Sequence, residues 1–445
     1  MKLIKKKEKN EKIEKSKEII KKEKIKIKQE KLKQREEKLN KSKLYKILKK
    51  FFKIDRDEKI SLKEQIFSMI YFEVIGAILC LLILFAITGG QNYFKIYKDL
   101  NKLINVYDTI ESNYYGELDK EELINSAIDS MLSSIGDSYT TYTEDVDKSQ
   151  FLEELEGIYE GIGCTVSMTE NGEIIVVDVF KNGPAESSGL QTNDIIKQID
   201  DQDFTTKTSE DMANYVKGTK KSKIKLTIER EEVETDIIIS RKKVEIPSVT
   251  TNIIEQENKK IGYIDVSVFS AVTYKQFKKH LEELEEQNIE GLIIDVREDT
   301  GGYLNSVTDI SNLFLKKGSI IYQLKDNKTE EKVKDTTKEH REYPIAVLIN
   351  NSSASASEIL ASAIKESYGG IIIGTNSYGK GTVQRTKTLS DGSMIKYTTQ
   401  KWLTPNGNWV NKKGVKPTIE VEFDYENNVD TQLDTAVSEI IKKIN

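Results

Sequence analysis

The chain has 445 residues, 37% hydrophobic and 32% charged, with a formal net charge of −5, a length that suits two or three folded units rather than one core. Its two cysteines and two histidines stand at no metal-ligand or redox spacing, which rules out a disulfide framework and leaves almost nothing from which to build a zinc site or a histidine-based triad. The charge is unevenly placed, since the first sixty residues hold 25 Lys and Arg against 11 Asp and Glu, so one end is basic and the remainder acidic.

Residues 1–65 mix Lys and Glu at helical spacing with sparse Ile and Leu. They read as a basic cytoplasmic tail, solvated or facing lipid rather than binding nucleic acid, because acidic residues interleave the basic ones. From Ile66 to Thr88 the sequence is apolar except for Ser68, Glu73 and Thr88, long enough as a helix to cross a hydrocarbon core of about 30 Å. Basic residues crowd its N-terminal flank. The expectation is therefore one transmembrane helix over 66–88, with the N-terminus cytoplasmic and the chain from Gly89 onward extracytoplasmic. A cleaved signal peptide fits less well, because so long a charged stretch precedes the apolar run.

Residues 92–150 carry amphipathic helical patterns, with Asp119 as a candidate N-cap of the second, and such faces suit packing on the rest of the chain or on a second copy in a homodimer. Over 151–244 the signal changes to short β-rich runs, EIIVVDVF, DIIKQID, KIKLTIE and TDIIIS, with one helix at SEDMANYVKG, a small β-rich module. Over 250–424 buried strands such as GLIIDVRE, PIAVLIN and GIIIGT alternate with helices, the pattern of an α/β layered core with parallel strands. Residues 425–445 read as a C-terminal helical tail.

In VLINNSSASASEIL a buried strand meets a turn of small polar residues and enters a helix, a geometry that lifts a nucleophile into a cleft and aims helix N–H groups at developing negative charge. Four serines compete there, and capping is the ordinary use of serine at a helix start. In NSYGKGTVQRT the glycines flank Lys380. The order is wrong for a phosphate-binding loop, which needs Ser or Thr after the lysine. A lysine in a tight turn beside a buried sheet can instead be desolvated, which lowers its pKa and leaves a neutral amine to accept a hydroxyl proton. Gln384, four residues on, is placed to orient the ammonium.

Together NSSASASEI, GKGTVQ, DVREDTGG, GIG and GPAESSGL resemble the carboxy-terminal processing proteases, Ser-Lys endopeptidases that carry a PDZ domain, over about residues 95 to 424. The resemblance implies a crotonase-like layered protease core with an inserted PDZ domain. It implies Ser355 as nucleophile, Lys380 as general base and Gln384 as the partner that positions it. Backbone N–H groups of Ala356, Gly301 and Gly302 would form the oxyanion hole, and Gly161, Ile162 and Gly163 the loop that receives a peptide carboxylate. Ser353 and Ser357 are left with capping and turn roles, and Asp295 and Arg297 with a structural ion pair. This chain reads EDT where the family more often has a neutral pair and proline, so Glu298 and Asp299 add charge near the cleft. No metal or other cofactor is implied. The expected function is cleavage of extracytoplasmic polypeptides held by their C-termini. The rivals are a catalytically silent PDZ-bearing scaffold and a crotonase-like acyl-CoA enzyme.

Overall fold

The computed structural model describes residues 30–31, 62–87, 93–143, 152–153 and 155–445, which belong to two compact units, 1–118 and 119–445. The basic tail lies almost wholly outside the described residues. The first unit contains helices α1 (Leu62–Ile87) and α2 (Tyr93–Asn113). Helix α1 has 26 residues, a length of about 39 Å at the α-helical rise, and apolar side chains such as Phe67, Leu81 and Phe85 stand exposed along it. Among the described residues no helix is long and apolar enough to cross a membrane, and in α1 the side chains at 62–65, 68, 84, 86 and 87 are not among them.

The second unit begins with α3 (Lys120–Ser133) and β1 (Thr141–Thr143). Asp119 caps α3 as its sequence position implies, accepting the Glu121 and Glu122 amides at 3.0 Å. A β-rich module follows, built from β2 (Ile158–Gly161), β3 (Cys164–Met168), β4 (Ile174–Val179), β5 (Ile195–Ile199), β6 (Gln202–Asp203), α4 (Ser209–Gly218), β7 (Lys223–Arg230), β8 (Val233–Ser240) and β9 (Lys242–Glu245). Its main sheet runs β3-β4-β5-β7-β8 with β6 added to β5, and β2 pairs with β9. Alternation along β7 turns Ile224, Leu226 and Ile228 inward, where Met212 and Val216 of α4 meet them, so a period of two in a strand and a helical period in α4 build one core.

The α/β part comprises β10 (Val249–Gln256), β11 (Lys259–Val266), α5 (Thr273–Glu285), β12 (Gly291–Asp295), α6 (Leu304–Asn312), β13 (Ile320–Lys325), β14 (Glu330–Lys334), β15 (Ile345–Ile349), α7 (Ala356–Ala363), β16 (Ile371–Gly374), β17 (Thr382–Thr388), β18 (Met394–Leu403), β19 (Ile419–Glu420) and α8 (Thr431–Ile444). One sheet runs β10-β11-β12-β15-β16-β19, parallel from β11 to β19. A second, antiparallel sheet runs β1-β18-β13-β14, with β17 also on β18. Strands β12 and β15 are buried throughout, because both faces of the first sheet are covered. On one face Ile294, Val347 and Ile349 meet Phe277, Ile310 and Leu360. On the other Ile293, Ala346 and Leu348 meet Ala436, Val437, Ile440 and Ile441 of α8.

The C-terminal segment is thus a layer of the core rather than a tail. Arg297, just beyond β12, fastens it, donating to Asp295 and, at 2.9 and 2.8 Å, to the carboxylate of Asp430; Asp430 in turn caps α8 through the Leu433 amide. The guanidinium and Asp295 form the structural ion pair that the sequence suggested. Ile440 lies over Gly291, where any Cβ would strike its side chain. Truncating this fully buried residue, Ile440→Ala, is expected to lower unfolding stability by about 2–4 kcal/mol in urea titration; a loss below about 0.5 kcal/mol would mean that α8 is not a core layer.

Candidate active site

The turn after β15 holds the serine cluster. Ser353 is buried and gives its hydroxyl to the Val296 carbonyl at 2.7 Å, and Ser357 is buried and gives its hydroxyl to the Asp299 carbonyl at 2.9 Å. Both are committed to the turn, as expected of them. Ser355 is the serine that lines a cleft of about 470 Å³, together with Lys380, Gln384, Gly302 and Ala356. Its backbone sits at φ 55°, ψ −109°, a region that L residues avoid and that costs about 1–3 kcal/mol unless the surroundings impose it.

What imposes it is Glu358, a residue the sequence reading did not single out. This fully buried carboxylate accepts the Ser355 amide at 2.9 Å and the Lys380 amide at 2.8 Å on Oε2. On Oε1 it accepts the Gly379 amide at 2.8 Å and the Ser377 hydroxyl at 2.6 Å. One side chain therefore ties the serine turn to the lysine turn. Burial raises its pKa while the four donors oppose that rise. Its sequence signal was available, for Ser-x-x-Glu at a helix start is a capping box.

The glycine-lysine-glycine turn is also held through its carbonyls by both of the chain's tryptophans. Trp402 Nε1 donates to the Lys380 carbonyl and Trp409 Nε1 to the Gly381 carbonyl, each at 2.8 Å. With the backbone fixed, the Lys380 amine reaches the ring of Tyr139, 5.1 Å from its centroid. Burial, chiefly, and the nearby positive charge of Lys396 lower the amine's pKa, and Glu358 opposes them. Tyr139 itself stays un-ionised, its hydroxyl pushed up to about 12 by burial and by Tyr378. It is carried by a segment braced on Asp137, which accepts the Tyr139 amide at 3.1 Å and the Thr140 hydroxyl at 2.6 Å.

Two expectations change here. The Gln384 amide does not meet Lys380; it donates to the hydroxyls of Thr382 and Thr398 at 2.9 and 3.1 Å, because β17 and β18 pair and turn it along the sheet. Among the described residues no hydrogen bond joins the side chains of Ser355 and Lys380. Of the three backbone groups expected in an oxyanion hole, Gly301 donates its amide to Asp299 Oδ1 at 2.7 Å, whereas the Gly302 and Ala356 amides have no acceptor among the described residues. Gly301 must be glycine, since at φ 97° a Cβ would lie 2.6 Å from the Ala354 carbonyl oxygen and 2.8 Å from Ser355 Cβ.

In the β-rich module Gly161 ends β2 opposite Lys242, and the buried Ile162 accepts the Ala185 amide at 2.8 Å. The Gly163 amide is not open. It donates to the Tyr159 hydroxyl at 3.2 Å, and the same ring occupies the space of a Cβ at Gly161. A larger groove, of about 760 Å³, lies between this module and α5 and is lined by Lys242, Lys243, Lys275 and Lys279 among others, but neither Ser355 nor Lys380 borders it.

Replacing the clamp, Glu358→Gln, puts an amide nitrogen against backbone donors. Stability in urea is expected to fall by about 2–3 kcal/mol, and an unchanged midpoint would show that the carboxylate does not join the two turns.

Residues 260–421 match the Peptidase family S41, residues 161–240 the PDZ domain family, and residues 87–148 the activating protease CtpB N-terminal domain. The carboxy-terminal processing protease CtpB of Bacillus subtilis is 40% identical over 328 residues, 73% of this chain and 68% of that protein. CtpA of the same organism is 34% identical over 73% of this chain and 69% of its own. Among solved structures, a photosystem II D1 C-terminal processing protease aligns over 75% of this chain and 87% of its own, at 24% identity and a TM-score of 0.44, too loose a likeness to add weight. On the strength of these relatives, the chain belongs to the carboxy-terminal processing serine proteases of peptidase family S41, with a PDZ domain.

Proposed function

We propose that this protease works by acyl transfer through a Ser-Lys dyad. The observation that carries the reading is the convergence of Ser355 and a desolvated Lys380 in one cleft, both backbones held by Glu358. Ser355 Oγ attacks the scissile carbonyl while the neutral amine of Lys380 takes the hydroxyl proton. The lysine then gives a proton to the leaving amine, and water releases the acyl-enzyme. The amides of Ala356 and Gly302 face the developing oxyanion, with Gly301 as the anchor of the loop. Because no hydrogen bond links the two side chains at rest, the lysine must close on the serine when substrate is engaged, and Gln384 guides that approach from β17.

Substrate chain ends are captured by the PDZ domain. A peptide adds as a strand to β3, which ends the order of its sheet, with its carboxylate at the loop of Gly161, Ile162 and Gly163. For that the carboxylate must displace the Tyr159 hydroxyl from the Gly163 amide. Helix α1 anchors the chain in a lipid bilayer with its basic flank cytoplasmic, a reading supported by the apolar run from Ile66 to Thr88 and by the flanking charge. The catalytic unit then acts on extracytoplasmic proteins.

Wild type, Ser355→Ala and Lys380→Ala are to be incubated with an unstructured protein. Loss of cleavage in both variants is expected; equal cleavage by all three would overturn the Ser-Lys assignment, and no cleavage by any of them would leave the silent scaffold standing. Removing the like charge near the base, Lys396→Met, should raise the Lys380 pKa, so that the ascending limb of kcat/KM against pH moves to higher pH; a limb that stays put would discount Lys380 as the titrating base. Washing membranes with alkaline carbonate tests the anchor, with the full chain retained and a chain starting at Gly89 released.

A further inference from the structure

Glu298 and Asp299 bring two charges to a loop where the family resemblance calls for neutral residues, and their surroundings differ. Glu298 is exposed and accepts the Asn350 side-chain amide. Asp299 has no solvent exposure. Its Oδ1 accepts the Gly301 amide at 2.7 Å, and its Oδ2 is buried with no hydrogen-bond partner among the described residues. Its main-chain carbonyl accepts the Ala354 amide at 3.0 Å and the Ser357 hydroxyl at 2.9 Å. The residue is wedged between the glycine loop and the turn that carries Ser355.

A buried carboxylate is tolerated as an anion only when several donors or a cation compensate it. Here one carboxyl oxygen has none. The charges around it do not help. Asp265, at the end of β11, repels it; Arg297, on its own loop, is engaged by Asp295 and Asp430; and Glu358 of α7 is taken up by its four donors. Burial, with Asp265 adding to it, pushes the pKa of Asp299 up to about 7, against the pull of the Gly301 amide.

We propose that Asp299 is a positioning residue that works as a neutral carboxylic acid, holding the Gly301 amide through Oδ1 while placing no charge beneath the oxyanion loop. Ionisation would set a negative charge, poorly screened in a dry site, against the loop that must stabilise a developing oxyanion. Activity therefore falls as Asp299 loses its proton. The active enzyme carries both a neutral Lys380, favoured as pH rises, and a neutral Asp299, favoured as pH falls. This rests on the acyl-transfer reading of the Ser355 site.

The test compares the full chain with Asp299→Asn, which keeps the shape and cannot ionise. Protein cleavage and fluorophosphonate labelling of Ser355 are followed from about pH 5 to about pH 10. The ratio of variant to wild-type rate is expected to rise by about a hundredfold between about pH 6 and about pH 9, because only the wild type loses the neutral acid. A structural role alone would change the rate by the same factor at every pH, so a flat ratio overturns the proposal. Asp299→Ser supplies a second neutral side chain should the first variant fold poorly, and an alkaline limb that persists in either folded variant also overturns it. Ser355→Ala run alongside separates the two ideas. If it cleaves like wild type, the acyl-transfer reading falls; if it is dead and the ratio stays flat, only the role of Asp299 falls.

Discussion

The chemistry of this protease hangs on one buried carboxylate. Glu358 receives the amides of Ser355, Gly379 and Lys380 and the hydroxyl of Ser377, so two turns that are separate in the sequence share a single anchor. The anchor explains how a serine can persist at a positive φ, since strain is retained only where surrounding contacts over-determine the backbone. It also sets a limit on the lysine. A nearby acidic group favours the charged amine, so burial and Lys396 must outweigh it for the amine to be neutral, and the net lowering of the Lys380 pKa says that they do.

Three stretches of chain set the serine, the lysine and the ring against its amine. Residues 355–358 bring the serine and its clamp, 377–384 bring the lysine, and 137–143 bring Tyr139 through the pairing of β1 with β18. The last of these falls outside the residues matched to the peptidase family and within those matched to the N-terminal domain. Thr398 links it to the rest, for its amide donates to the Thr140 hydroxyl and its own hydroxyl accepts from Gln384. A ring face against an amine excludes water and favours its charged form, an effect of about 0.5–2 kcal/mol.

Two loops expected to offer backbone N–H groups to a ligand prove to have one of them engaged from within the chain. The Gly301 amide is held by Asp299 and the Gly163 amide by Tyr159. In the first case the bond fixes the peptide unit ahead of Gly302, which lines the cleft together with Ala356. In the second, the acceptor is a phenol oxygen four residues back in the chain. The same logic serves both, because a buried N–H without an acceptor is costly and a nearby side chain supplies one.

Much of the architecture was legible from pattern alone. Period-two alternation marked β7, continuous apolar runs marked β12 and β15, and Asp119 marked the start of α3, since each of these depends on residues close together in the chain. Short motifs singled out Ser355 and Lys380, and the fold places both in one cleft. The sequence did not show that 431–444 covers one face of the sheet, although the apolar spacing of Ala436, Val437, Ile440 and Ile441 was there to see, because the face a helix covers follows from topology. Nor did it show that Glu358 serves a second turn, that Tyr139 lies against the Lys380 amine, or that Gln384 turns to threonines. Local propensity and periodicity determined the elements and the reactive residue types. Tertiary packing alone decided which side chains meet and which of them lose water, and desolvation is what converts an ordinary lysine or aspartate into a group with altered proton affinity.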